Sequence, residues 1–284
     1  MADWKKLGVI AGAGDLPVRL AEHCAATQQP YFVARIEGLA DAALAGHPGA
    51  SFGLGEMGAR FKALKSVGCD AVTFVGLVRR PEFKSLKLDA RATLMMPKVL
   101  AAARSGDDAL MRVILQEFER EGFRIVGPEE AFGGLLAPAG VLGAHAPDDQ
   151  MRADLVKAAS IAAALGAWDI GQGAVVCDGL VLALEAAEGT DAMLARVADL
   201  PATIRGAVDA RRGVLVKRAK PIQDRRIDLP TIGVSTVEGA ARARLAGVAV
   251  EAGSALIVDR TEVVARADAL GLFLFGFTPA DISG

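Results

Sequence analysis

A chain of 284 residues, 52% hydrophobic and with a formal net charge of −2, can bury a sizeable core as one large domain or two ordinary ones. The balanced charge leaves no global basic field, and aromatic residues make up only 5%, so nucleic acid is not expected as a partner. No segment reaches the ~18 apolar residues of a membrane span, and the apolar run after Lys5-Lys6 breaks at Gly12, too early for a signal peptide. The chain is therefore expected in the cytoplasm. Its three cysteines, Cys24, Cys69 and Cys177, lie far apart and form no CxxC pair. They read as small buried hydrophobes in a reducing compartment, not as a zinc site.

Residues 7–11, LGVIA, predict a short buried strand, followed by a glycine turn and a helix to about Thr27, with Asp15 as N-cap and Pro17 in the first turn. YFVARI (31–36) predicts a strand, and 55–68 a helix with Phe61, Leu64 and Val67 on one face. A strand at 71–78 precedes a capped amphipathic helix at 107–123, with Leu110, Val113, Ile114 and Phe118 inward, and a strand at 124–127. This alternation predicts an α/β fold whose first domain, 1–132, is Rossmann-like with a parallel sheet. Residues 133–148 are rich in Gly, Ala and Pro without a clean period and read as a linker to a second α/β domain, 149–284. There a helix over 151–167 leads to two strands joined through Asp178-Gly179, a hairpin signal. A helix capped by Thr190, the strand GVLVKRAK, a helix from Ser235, the strand SALIVD, a helix from Thr261 and the final strand LFLFGF follow.

Four stretches could carry chemistry. GAGDLP (12–17) follows the first strand, where backbone amides at a helix start can face a phosphate, but Pro17 stands where the dinucleotide pattern needs a third glycine. With Glu37 at the end of the second strand, it leaves open an NAD-dependent oxidoreductase. Arg79 and Arg80 follow a strand's carboxyl end, and arginine suits bidentate phosphate contact. Glu185, Glu188 and Asp191 are spaced three apart, as ligands of a hard cation such as Mg²⁺ or as helix-start acids. Finally, KRAKPIQDRRIDLPTIG (217–233) sets five basic residues around Asp224 and Asp228. Phosphoryl chemistry needs that combination of cations and a carboxylate, although a salt-bridged surface loop would look the same. A non-enzymatic lipid or nucleotide carrier could use the same cationic loop without a metal-binding acid cluster. The chain has no GxSxG elbow and no GxxxxGK[ST] loop.

In order along the chain, GVIAGAGDLP, GLVRRPEFKSLKLD, DIGQGAVV, EAAEGTDAM, VLVKRAKPIQDRRIDLPTIG and ADALGLFLFG resemble the UDP-2,3-diacylglucosamine pyrophosphatases of lipid A biosynthesis, the metal-dependent type without a calcineurin-like signature. EAAEGTDAM and KPIQDRRIDLPTIG are the most specific pieces. The resemblance implies hydrolysis of UDP-2,3-diacylglucosamine to UMP and 2,3-diacylglucosamine 1-phosphate (lipid X), with Mg²⁺ as cofactor and the lipid held between two α/β domains. On that reading Asp224, Lys220 and Gln223 are the catalytic candidates, and Asp224, Glu188 and Asp191 the metal ligands. Substrate contacts fall to Gly12, Gly14, Asp15, Arg80, Gln172, Thr190, Lys217 and Arg226, and the stretch 133–143 is expected to supply part of an apolar cleft for the acyl chains. Peripheral contact with the inner membrane and a homodimer are both compatible with the composition.

Overall fold

The structure is a computed structural model that describes residues 3–221, 226 and 229–283. They divide between Gly133 and Gly134 into two compact units. In the first unit the chain runs β1 (Leu7–Ala11), α1 (Asp15–Ala26), β2 (Tyr31–Ile36), β3 (Gly49–Phe52), α2 (Met57–Ser66), β4 (Ala71–Val75), α3 (Ala90–Ala103), α4 (Asp107–Arg120), β5 (Arg124–Ile125) and α5 (Pro128–Ala131). The five strands pair in parallel in the order β3-β2-β1-β4-β5, the Rossmann-like sheet expected. β1 is buried on both faces, as a central parallel strand with helices on either side must be. Leu7, Val9 and Ala11 pack with Leu20 and Cys24 of α1, and Ile10 points to the opposite face.

Several local expectations give way to stronger interactions. Gly14, at φ +98°, is the N-cap of α1, and Asp15 is the first helical residue instead. β4 stops at Val75 because Gly76 turns the chain at φ +87°. α4 is preceded by Gly106 without a side-chain cap, and of its expected inward residues only Phe118 is fully buried. α3 was not expected from the sequence, since Pro97 lies inside it. It is fixed at its start by Asp89, whose carboxylate accepts from Ala92 N at 2.8 Å and from Gly58 N of α2 at 2.6 Å.

The second unit contains β6 (Gly140–Val141), α6 (Asp149–Ala167), β7 (Gly173–Cys177), β8 (Leu180–Leu184), α7 (Gly189–Ala198), β9 (Val214–Lys217), β10 (Thr231–Ile232), α8 (Val234–Arg242), β11 (Gly247–Glu251), β12 (Leu256–Ile257), α9 (Arg260–Ala269), β13 (Phe273–Phe277) and α10 (Pro279–Ile282). Its mixed sheet has the order β6-β13-β11-β9-β7-β8, and β10 and β12 form a separate parallel pair. β9, β11 and β13 are parallel, whereas β7 runs antiparallel to β9. Val175, Ala183, Leu215, Val248 and Leu274 face a core shared with α7, α8 and α9. Ala174, Val176, Val214, Val216 and Phe275 face the other way, onto α6.

The predicted hairpin is present: Asp178 and Gly179 take φ +49° and +77° between β7 and β8. Asp154 of α6, 1% exposed, holds it by accepting from Asp178 N at 2.8 Å and Gly179 N at 2.7 Å. The stretch 133–148, expected as a linker, belongs largely to the second unit. Leu135 and Ala137 are each 2% exposed, Ala137 N donates to Ala255 O at 2.9 Å, and β6 joins the sheet beside β13. Leu135 and Ala137 are thus packed into this unit's own core, whereas Val141 is 43% exposed.

Candidate functional site

Ligands of open α/β sheets collect at the carboxyl ends of the parallel strands. In the second unit that edge carries a charged row inside an apolar sheet. Lys217, the last residue of β9, is opposed to Gly173 of β7. Glu185, just past β8, donates its amide to the Gly173 carbonyl at 2.9 Å. Opposed residues of neighbouring strands project to one face, so Glu185 and Lys217 flank Gly173 on the face of Val175 and Leu215. The glycine makes room for the acid: a Cβ added at 173 would stand 2.6 Å from Glu185 Oε2.

Both charged groups are buried, Glu185 to 6% exposure and Lys217 to 5%. Glu185 Oε1 accepts from the Thr190 hydroxyl at 2.7 Å, whereas its Oε2 has no partner among the described residues. Lys217 Nζ donates to the Thr231 carbonyl at 3.1 Å, which uses one of the ammonium's three donors. Buried charge with incomplete hydrogen bonding costs free energy, so this pair is poised to be completed by something that brings both acceptors and a cation or donor.

The flanking cations are held by other acids. Lys220 Nζ meets Asp169 Oδ1 at 2.7 Å, and both side chains are largely buried. Asp169 sits just past α6 at φ +55°, a left-handed position that Asp tolerates. Gly166 lets this segment approach α6, since a Cβ there would lie 3.0 Å from Lys220 Cα. Arg218 pairs with Glu251 at 3.3 Å and donates its amide to the Gln172 carbonyl at 2.9 Å. Gln172 is half-buried, and its Oε1 has no partner among the described residues. Arg226 is exposed, and Gln223 and Asp224 lie outside the described residues.

Of the acids expected as metal ligands, Glu188 and Asp191 lie among the described residues. Glu188 accepts from Arg196, which neutralises it, and Asp191 is exposed in the first turn of α7. Thr190 does not cap α7. Glu188 occupies the N-cap position without a side-chain bond, and the Thr190 hydroxyl is drawn to Glu185. Among the described residues, no three His, Cys, Asp or Glu stand together as a metal cage. Of the three acids at spacing three, Glu185 is the one the fold singles out. The available signal was its place one residue beyond a strand that pairs with a glycine.

In the first unit, the Gly12 amide donates to Val75 O at 2.8 Å and the Ala13 amide to Leu77 O at 3.0 Å, so the start of the glycine loop is tied to the chain leaving β4. Only Gly14 and Asp15 stand at the open N-terminus of α1, where the first amides have no intrahelical partner. Arg80 is turned away from them, donating to Ala103 O and lying 3.5 Å from Asp107. Glu37 is exposed beyond β2. The three cysteines are free and buried, and burial pushes each thiol up to about 11, which keeps them unreactive.

Comparison with known proteins covers both units. A family model described as "LpxI N-terminal domain" matches residues 6–135, and one described as "LpxI C-terminal domain" matches residues 138–275. The chain is also 54% identical over 277 residues to the "UDP-2,3-diacylglucosamine pyrophosphatase LpxI" of Caulobacter vibrioides, a similarity covering 98% of this chain and 99% of that protein.

Proposed function

The chain belongs to the LpxI-type UDP-2,3-diacylglucosamine pyrophosphatases, hydrolases of lipid A biosynthesis, and from that premise we propose how its second unit does the work. Water cleaves the pyrophosphate of UDP-2,3-diacylglucosamine, releasing UMP and 2,3-diacylglucosamine 1-phosphate. Such a reaction needs the pyrophosphate neutralised and the water held in line more than it needs covalent help from the protein. The two donors of Lys217 that have no acceptor among the described residues serve the nonbridging oxygens, joined by Lys220 and Arg226. Asp224, with Gln223 beside it, orients the attacking water and accepts its proton.

Mg²⁺ prefers hard oxygen ligands, and the unpartnered Glu185 Oε2 is such a donor, so the residues present suit this ion. Asp224 and Glu185 would hold it, with Thr190 fixing the carboxylate's orientation through the 2.7 Å hydrogen bond. When bound, Mg²⁺ would neutralise charge on the pyrophosphate. Glu188 and Asp191 are the outer acids of the same turn. Gln172 offers an amide oxygen to the substrate, and Gly14 and Asp15 offer helix-start amides. No helix among the described residues is long and apolar enough to cross a membrane. On this proposal the enzyme meets its lipid peripherally, at the cytoplasmic face of the inner membrane.

The observation that carries this reading is the pair of incompletely bonded buried charges, Glu185 and Lys217, across Gly173. The test is incubation of the purified protein with UDP-2,3-diacylglucosamine and Mg²⁺, with and without chelator. UMP release that the chelator abolishes is expected. Release unaffected by chelator would refute the metal's role, and ligand retained without release would make the protein a carrier.

A further inference from the structure

We infer that an apolar cavity within the first unit receives one acyl chain of the UDP-2,3-diacylglucosamine substrate, an assignment that rests on the function proposed above. The cavity has a volume of about 160 Å³. Ile10, Ile36 and Phe74, from the ends of β1, β2 and β4, form its floor. Four of the chain's seven methionines, Met57, Met95, Met96 and Met111, line its walls. Val78, which also lines it, is 40% exposed.

Size and chemistry select the occupant. A dry apolar cavity of ~150 Å³ takes a hydrocarbon of about the size of benzene, which suits a stretch of one alkyl chain and excludes a sugar or a nucleotide. Flexible thioethers repack around a chain of variable conformation better than branched side chains do. In the segment 133–143, the receptor expected from the sequence, Leu135 and Ala137 are taken up by their own unit's core, which leaves fewer apolar side chains there for two acyl chains.

Arg60 adds the polar handle. It lines the cavity at 3% exposure, donating from Nη1 to Met57 Sδ at 3.1 Å and from Nη2 to Gly53 O at 2.9 Å. Its Nε–H has no partner among the described residues. Burial lowers its pKa to about 10, against the opposing pull of Asp89 and Glu56, so it stays charged at neutral pH. A donor left open in an apolar wall is costly unless a ligand oxygen meets it, and every acyl group carries a carbonyl oxygen.

The test uses the full chain and a substrate with a photoreactive diazirine at the end of an acyl chain, with the labelled peptide identified by mass spectrometry. Label on Ile10, Ile36 or residues 54–114 is expected. Met111→Trp narrows the cavity, and Val78→Trp plugs it from an exposed position that does not threaten folding. In either variant, KM for the long-chain substrate should rise about tenfold, while kcat/KM for a diacetyl analogue stays within about twofold of wild type. Label confined to other residues, or an unchanged KM in Val78→Trp, would overturn the assignment. So would protection of the site by a free fatty acid but not by UDP-2,3-diacylglucosamine. A wild-type protein that turns over neither substrate would instead refute the hydrolase reading, so the two failures are distinct.

Discussion

Replacing Lys217 by methionine removes one buried ammonium and very little volume. The residue is 5% exposed and, among the described residues, makes one hydrogen bond, to the Thr231 carbonyl at 3.1 Å. The loss of that bond costs about 1 kcal/mol, and the relief of a poorly paired buried charge offsets it. The melting temperature should therefore move by no more than about 4 °C. Catalysis should suffer far more. One charge-assisted hydrogen bond to a phosphate oxygen contributes about 1.5–3 kcal/mol, which at 1.4 kcal/mol per decade is roughly a 10- to 100-fold loss in kcat/KM. The assay is UMP release from UDP-2,3-diacylglucosamine at several substrate concentrations, alongside thermal unfolding of the same preparation. A folded Lys217→Met protein with kcat/KM within twofold of wild type would refute the assignment of the ammonium to the pyrophosphate.

Three further outcomes follow from the same geometry. Glu185→Gln keeps the shape and the Thr190 contact but gives up a charged oxygen. The Mg²⁺ concentration for half-maximal turnover should rise about tenfold or more, with a parallel loss of Mn²⁺ binding followed by electron paramagnetic resonance, and an unchanged titration would remove Glu185 from the metal site. Asp154→Ala leaves the Asp178 and Gly179 amides of the β7–β8 turn without their acceptor, and urea unfolding should report a loss of about 3 kcal/mol. Asp70 is subject to burial, which would raise its pKa, but the amides of Lys6 and Lys5 outweigh it and hold the carboxyl below its usual range. A depressed folded pKa contributes stability above the unfolded value that is lost as pH falls through the folded one, so Asp70→Asn should flatten the decline in stability below about pH 4.

Much of this architecture is legible in the residues. The alternation of apolar runs with helical periods predicts both α/β units, and Asp178-Gly179 marks its hairpin because few other pairs accept two positive φ angles. The elements that escape are those whose local signal conflicts with their tertiary setting. β11, Gly247–Glu251, is too short to stand out in its Ala-rich surroundings, and it becomes a central strand because β9 and β13 pair on either side. α3 hides behind Pro97, and β3 is too short to declare itself. The same limit applies to the site. Charge patterning identifies Lys217 and its loop, but it cannot distinguish Glu185 from Glu188. That distinction comes from Gly173 opening space beside one acid and from Arg196 closing on the other. Nor can spacing show that 133–148 is stitched into a sheet, since its Gly and Pro content is that of any connection.

The measurement that bears most directly on the account is turnover and binding by the Asp224→Ala full-length protein. Removal of the carboxylate proposed to orient the attacking water should lower UMP release by about 100-fold or more, while UDP-2,3-diacylglucosamine still co-purifies or titrates with near wild-type affinity. Wild-type turnover in that variant would contradict the proposed hydrolytic site.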